Sequence, residues 1–487
     1  MKYLNKIIEY GLYFFVFILP IQTRWIIKAG ETEYSTYSLY GTDILLLVLL
    51  ILFVLKFSIF SRILRDQFSP AYCGINFLPH TAGSIFNFQT KYKIQIWWLI
   101  LGLVLTSAVS IFFALDKLLA LYKFGWLIMG VGLFWLIISA NYNKFKLIYF
   151  LLAGIFLQAL LGIWQFLIQS SFANKWLGIA SHNSSDLGVS VVESIGERWL
   201  RAYGGLDHPN MFGVVVVVGI LLLIGQISQK FIKSKVESQK FIKLEVNKIK
   251  NKKSEAILYT LYFILYTYFF ALFFSFSRAA WLGLIIGLIV IIVFAIISKN
   301  LLLQKQLVKI ILVMGVLFFV LFSQCQNLVI ARVSSEGRLE TKSITERASL
   351  YQDYWQFIKK NWLVGGIRNQ ELGIIAGIRN QELGIRENLQ PVHNTFLLVW
   401  SEIGVFGLIF FIGLLAYLII LNFKFQILNF QQGNKNQTTY ILNLSILSCL
   451  IIFMFFDHWW WSLHFGVLFF WLIIGLQSRN KELGIRN

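Results

Sequence analysis

Charge is scarce in this chain of 487 residues, at 14%, and acidic side chains are scarcer still, with 23 Asp and Glu against 43 Lys and Arg. A water-soluble protein of this length covers its surface with far more charge, and it cannot bury a composition that is 57% hydrophobic. A soluble globular fold is thereby excluded. Cysteine is limited to Cys73, Cys325 and Cys449, too few and too scattered for a disulfide framework or a thiolate metal site. The six histidines show no ligand spacing either, so no metal and no cofactor is expected.

What the chain has instead is long apolar runs. Twelve of them fit the roughly 20 residues that a bilayer requires, at about 7–25, 42–60, 95–115, 119–140, 147–168, 210–227, 256–274, 279–297, 307–323, 396–421, 439–457 and 460–477. The expectation is an all-α polytopic membrane protein, a single integral membrane domain over 1–487, with the first run an uncleaved span because no small-residue cleavage site follows it. The formal charge of +20 is read as loop charge, with membrane lipids and no nucleic acid among the partners. The connection 228–255 carries nine lysines against three glutamates. With Arg62, Arg65, Lys91, Lys93, Lys144, Lys146, Lys299 and Lys305 it falls on one side, which the positive-inside bias makes cytoplasmic. Both termini are then cytoplasmic as well. Two long outward connections remain, about 169–209 and 324–395. Aromatic pairs and triplets such as Trp97-Trp98 and Trp459-Trp460-Trp461 are expected as interface anchors.

The second outward loop holds a repeat. Gly366–Ile374 recurs identically at Gly377–Ile385, and the tail Lys481–Asn487 carries a related stretch. Two copies are too few for a solenoid, so 366–387 is read as inserted repetitive sequence that a loop absorbs cheaply. Its arginines, Arg368 and Arg379, and Arg486 in the tail are not taken as site residues.

In this topology the even-numbered spans begin at the outer face, and three of them open on polar groups. Span six follows Arg201-Ala-Tyr-Gly-Gly-Leu-Asp-His-Pro-Asn210, in which Pro209 suits a first helical position and Asp207 or His208 a cap. Gly204 and Gly205 permit close backbone approach to a ligand. Span eight follows Ser275-Phe-Ser-Arg278, four residues between two charge-free runs. One helix from 256 to 297 would be about 63 Å long at 1.5 Å per residue, twice the bilayer core, so a tight turn presenting Arg278 is predicted. Span ten follows His393-Asn394. Each feature has an ordinary alternative: a span-end arginine that snorkels to head groups, a solvated histidine, a glycine turn. Together they place Arg201 and Arg278 on the face that the charge bias disfavours for arginine, beside the positive ends of helix dipoles. An anion, phosphate above all, would balance them.

These residues resemble a family. Arg201-x-x-Gly204 before His208-Pro-Asn210, the Ser275-x-Ser-Arg278 turn, and a large outer loop ending in His393-Asn394 before Glu402-x-Gly-x-x-Gly407 are similar to the O-antigen ligase superfamily of ligases, polymerases and protein O-oligosaccharyltransferases. The likeness covers about 195–420 by motif. Glu346-Arg347…Tyr354-Trp355 and Asn361-Trp362-Leu-Val-Gly-Gly366 are similar to the family's loop helix and the turn after it, and the repeats interrupt the pattern between Gly366 and His393. The resemblance implies metal-independent transfer of a glycan from a polyprenyl diphosphate carrier to an acceptor hydroxyl of lipid A-core, another carrier-linked repeat or a protein. It places the reaction at the periplasmic face of the bacterial inner membrane. In that chemistry Arg201 and Arg278 stabilise charge on the leaving diphosphate. His393, of a residue type that titrates near neutrality, takes the acceptor proton. Asn394, Asn210, His208 and Arg347 contact substrate, and Glu402 fixes helix packing. Two other classes compete. A transporter or flippase would show inverted repeats and charge near mid-membrane, whereas these spans are nearly free of internal charge. A non-catalytic scaffold leaves the outward arginines unexplained.

Overall fold

The computed structural model describes residues 2–30, 32–67, 83–114, 116–240, 246–334, 337–365, 390–431 and 437–479. A long helix lies at each of the twelve apolar runs. They are α1 (Lys2–Ile18), α2 (Gly41–Gln67), α3 (Gly83–Phe113), α4 (Lys117–Ser139), α5 (Lys144–Ile168), α6 (Pro209–Lys240), α7 (Val246–Phe274), α8 (Arg278–Ile297) and α9 (Leu301–Gln324), then α12 (Thr395–Gln431), α13 (Gln437–Phe456) and α15 (His464–Arg479). Among the described residues eight of these are long and apolar enough to cross a membrane. The repeat segment, the cysteine at position 73 and residues 241–245 of the lysine-rich connection lie outside the described residues.

Helix α6 forms the centre of the bundle. Its run Val214–Val218 is β-branched, a modest handicap for a helix, but every one of those side chains is buried, as a helix apolar all round should be. Around it pack α5, α7, α8, α9 and α13. Outside the long helices the chain builds three small antiparallel hairpins: β1 (Arg24–Lys28) with β2 (Tyr37–Tyr40), β3 (Ser170–Ser171) with β4 (His182–Asn183), and β5 (Val191–Ser194) with β6 (Glu197–Leu200). Two further helices, α10 (Gln326–Ser334) and α11 (Arg338–Asn361), follow α9 and form the described part of the loop 324–395.

Helix α11 is amphipathic, and its Tyr354 packs with Val392 and Leu398 in a small core of their own. The turn that ends α11 docks into a break in α12. Gly404 there has φ 73°, a left-handed value that glycine adopts without strain. The break frees the Val405 N–H, which donates to the Trp362 carbonyl at 3.0 Å, and the Trp400 indole donates to the same oxygen at 3.1 Å. A Cβ on Gly404 would lie 2.2 Å from the Leu363 carbonyl oxygen, and one on Gly365 would lie 2.6 Å from the Gly404 nitrogen. Only glycine at both places allows the loop to sit this close to the bundle.

One expectation is corrected. Trp459 and Trp460, on the single-turn helix α14 (Trp459–Ser462), do not face lipid as interface anchors. They stack on each other at 3.9 Å and are buried, because the α13–α15 connection folds inward rather than out along the surface. The neighbouring Trp461 indole donates to Glu402 at 2.6 Å, which gives that buried carboxylate the packing role expected of it.

Candidate active site

The turn between α7 and α8 is the hub of the site. Ser277 caps α8, its side chain accepting from the Ala280 N–H, and Phe276 takes a left-handed φ of 46°, so the chain reverses in four residues as its length demands. The reversal exposes carbonyls that arginines then use. Arg201 Nε donates to Ser275 O at 2.8 Å, and Arg332 Nε donates to Phe276 O at 2.9 Å. The other end of Arg201 donates to Asn210 Oδ1 at 2.8 Å. A buried arginine thus ties the start of α6 to the start of α8.

Arg278, the first residue of α8, points towards the loop helices. It bonds Glu340 Oε2 at 2.8 Å and the Arg332 carbonyl at 3.3 Å, and Glu340 also pairs with Arg332. Arg347, two turns beyond Glu340 on α11, completes a group of four guanidinium groups. Among the described residues its Nε is buried without a hydrogen bond. Burial, followed by the neighbouring Arg201, Arg278 and Arg347 charges, pushes Arg332 down to about 8. Burial, with Arg278 and Arg347 beside it, pushes Arg201 down to about 10. The cations repel each other, so this group is short of negative charge.

A second group adjoins the first. His393 Nδ1 lies 3.6 Å from Asp457 Oδ1. Asp457 is held by the Asn210 amide at 3.4 Å on its other oxygen, and its carbonyl accepts from Thr395 Oγ1 at 2.7 Å. Burial alone would raise Asp457, but the bond and charge of His393, with His458 and His208 beyond it, hold the carboxyl far below the usual range. It is a carboxylate. The backbone of His393 is fixed by Tyr351 of α11, whose hydroxyl donates to the His393 carbonyl at 3.2 Å. The His458 ring is tilted by 49° against that of His393 at 5.1 Å between ring centres, and burial drives it down to about 3, so it is neutral.

The residues expected to bind substrate fall into two kinds. Arg201, Arg278, Arg347, His393, His208, Asn210 and Asn394 all lie at one end of the bundle. Both asparagine amides, however, are used inside the protein. Asn394 is the cap of α12, its Oδ1 accepting from Leu397 N at 3.0 Å, and Asn210 bridges Arg201 to Asp457. His208 is also internal: its Nδ1 accepts from the Asn210 N–H at 3.1 Å, capping α6, and its Nε2 meets Ser190 Oγ at 3.0 Å. The cap of α6 is therefore His208, not Asp207. Gly204 and Gly205 pack closely against protein neighbours on α5 and α6. A Cβ on Gly204 would meet the Phe212 ring at 2.9 Å and the Gln158 carbonyl at 3.1 Å, and the Gly204 carbonyl accepts from Gln165 at 2.7 Å.

Asp457, Arg332 and Glu340 are not among the expected site residues. The signal for Asp457 was present, an acidic residue between two apolar runs at the same end of the bundle. Among the described residues, His393, Asp457 and His458 also form one group whose ligand atoms lie within 4.8 Å of one another and are able to hold a metal ion. His458 Nδ1 is already engaged with Ser462 Oγ at 2.6 Å, and the guanidinium groups next door oppose a further cation.

The fold and the site define a multi-pass membrane protein with a cationic, histidine-bearing centre at one end of its helices. Residues 262–412 match the family model described as O-antigen ligase. The matched stretch carries Arg278, Arg332, Glu340, Arg347 and His393, while Arg201 and Asp457 come from either side of it. No curated protein matches the chain.

Proposed function

We propose that this protein transfers a glycan from a polyprenyl diphosphate carrier to an acceptor hydroxyl, as a ligase-type glycosyltransferase. The observation that carries this reading is the charge balance of the centre. Four guanidinium groups face two carboxylates, Glu340 and Asp457, and the surplus of two positive charges adjoins a histidine backed by a carboxylate. A diphosphate supplies the missing negative charge, and planar guanidinium forks suit its oxygens.

The step follows from these placements. The acceptor O–H attacks the anomeric carbon, the bond from that carbon to the diphosphate oxygen breaks, and the electron pair leaves on the diphosphate. Arg201, Arg278, Arg332 and Arg347 stabilise the charge as it develops. His393, with Nδ1 turned to Asp457, offers Nε2 to take the acceptor proton, which passes on to water. Asp457 fixes the ring and stabilises the imidazolium, the part played by the carboxylate behind any catalytic histidine. Ligase and polymerase differ here only in the acceptor.

The test is transfer by the purified, reconstituted protein with carrier-linked donor in excess EDTA. Joined glycan and free polyprenyl diphosphate are expected. Activity lost in EDTA and restored by a divalent ion would instead assign His393, Asp457 and His458 as metal ligands.

The site is proposed to face the periplasm, from the loop charges described above and from the loop helices being part of it. A cysteine placed at Ser334, at the end of α10, is expected to react with a membrane-impermeant maleimide in intact cells, and one at Ser254 is not. The reverse pattern would put the site on the cytoplasmic side.

A further inference from the structure

A cavity of about 140 Å³ lies against the segment that leads from Arg201 into α6. It is lined by Arg24 and Glu33 from the α1–α2 connection, by Ala180 and His182 from the α5–α6 connection, and by Gly205 and Asp207 from the segment that begins at Arg201. We propose that it is a carbohydrate subsite, which holds one neutral sugar unit of the glycan while the diphosphate and His393 act on the neighbouring bond.

Three observations support this, and the proposal rests on the glycan-transfer reading above. The first is the position of Asp207, bonded to Gln22 and set against the charge of Arg24. An aspartate just before a helix normally caps it, but His208 performs that task, and Asp207 is turned to the cavity instead. The second is the charge of the lining. Two carboxyl groups repel a phosphate, which separates this cavity from the arginine group, and Arg24 repels a metal ion or an amine. Burial pushes Asp207 up, and burial with the Asp207 charge pushes Glu33 up to about 7, although water still reaches Glu33 at the cavity mouth. The carboxyl groups accept and Arg24 donates, as sugar hydroxyls require. Ile179, Leu206 and Ala180 provide the apolar wall that a sugar ring's C–H face needs.

The third is rigidity. Arg24 sits in register opposite Tyr40 on the β1–β2 hairpin and donates to its hydroxyl at 3.4 Å. The ring of His182 stacks on Tyr203 at 4.4 Å, and the Tyr203 N–H is held by Gln165 at 3.1 Å. Gly178, at φ 64°, lies so close to Gln22 that an added Cβ would be 2.3 Å from its backbone. The two connections are thus locked together around the cavity. Tyr34, next to Glu33, lies edge-on to His458 at 5.5 Å, which links the wall residue Glu33 to the histidine pair through one side chain. At roughly 30 Å³ per water the space equals four or five waters, room for one ring whose substituents leave through the mouth.

The experiment uses the full chain in detergent and, as probe, the reducing oligosaccharide released by mild acid from the carrier lipid of the producing cells. Saturation-transfer NMR is expected to show contact with its ring protons. Asp207→Asn and Ala180→Phe, the second filling the cavity without altering a charge, should each weaken binding by roughly tenfold or more, the effect of losing hydrogen bonds to a charged group. In transfer, Asp207→Asn should raise KM for one glycan substrate by a similar factor and leave kcat nearly unchanged. Transfer by the wild type with the same KM in both variants would remove the subsite and leave the proposed reaction standing. Binding that both variants lose, in a protein that transfers nothing, would remove the reaction and keep the subsite. Equal binding by wild type and both variants overturns the proposal, and Glu33→Gln provides the same comparison if Asp207→Asn fails to fold.

Discussion

Replacing His393 with alanine lowers turnover by roughly 10²–10⁴-fold, and replacing Asp457 with asparagine in that background lowers it hardly further. Asp457→Asn alone is also expected to be severe, because an amide cannot stabilise the imidazolium and can present the wrong partner to Nδ1. The two losses overlap because Asp457, 3.6 Å from Nδ1, acts on the reaction through His393. Groups that act as a unit give far less than additive effects. The measurement is kcat in purified wild type, both single variants and the double variant, with binding of carrier-linked donor followed separately. Donor binding should survive in His393→Ala, since the arginines remain. If the two losses multiply in the double variant, Asp457 serves something other than His393. If His393→Ala loses donor binding and keeps turnover at saturation, the histidine is a diphosphate ligand and the base lies elsewhere.

Arg278→Lys is expected to be as poor as Arg278→Ala, with a loss on the order of 10²–10³-fold, the scale for one donor aimed at developing charge. A snorkelling arginine needs only a positive tip on a long stem, and lysine provides that. Arg278 does more than this. Its two terminal nitrogens reach different acceptors, Glu340 at 2.8 Å and the Arg332 carbonyl at 3.3 Å, a fork that one ammonium group does not reproduce. The loss should fall mainly on kcat, since bonds to a leaving group strengthen as it gains charge. The comparison is made in protein whose membrane insertion matches wild type. Near-normal turnover in the lysine variant would reduce Arg278 to a membrane anchor and take one of the four cations from the diphosphate site.

The helices and their starting points were legible because each apolar run is bounded by a signal with a local cause. Pro209 opens α6, Ser277 caps α8, and Asn394 caps α12, all from contacts within three residues. Local chemistry also gave the convergence of Arg201, Arg278 and His393 at one end of the bundle, since alternate spans must start there. It did not give partners far apart in the chain. Asn210 bridges to Asp457 across 247 positions and Arg278 meets Glu340 across 62, and neither pairing leaves a periodic trace in the sequence. The same blindness hid the close packing of Gly204 and Gly205 against Gln158 of helix α5. It also misled the reading of Trp459 and Trp460, because composition does not reveal that a connection folds inward.

The docking of Gly365 against Gly404 bears on how this gene is free to change. Directly after that contact comes the repeated sequence 366–387, and directly after the repeats the chain returns at Val392, buried against Tyr354 and Leu398. The two ends of the insertion are therefore fastened to the same pair of helices, independently of whatever lies between them. Copying errors in repetitive DNA add or remove whole units, and here each such event is confined between two fixed points. The position of His393, one residue beyond the second, is insulated from the unit number, and lengthening the loop costs only a slowly growing closure entropy. Copy number is accordingly expected to vary without moving His393.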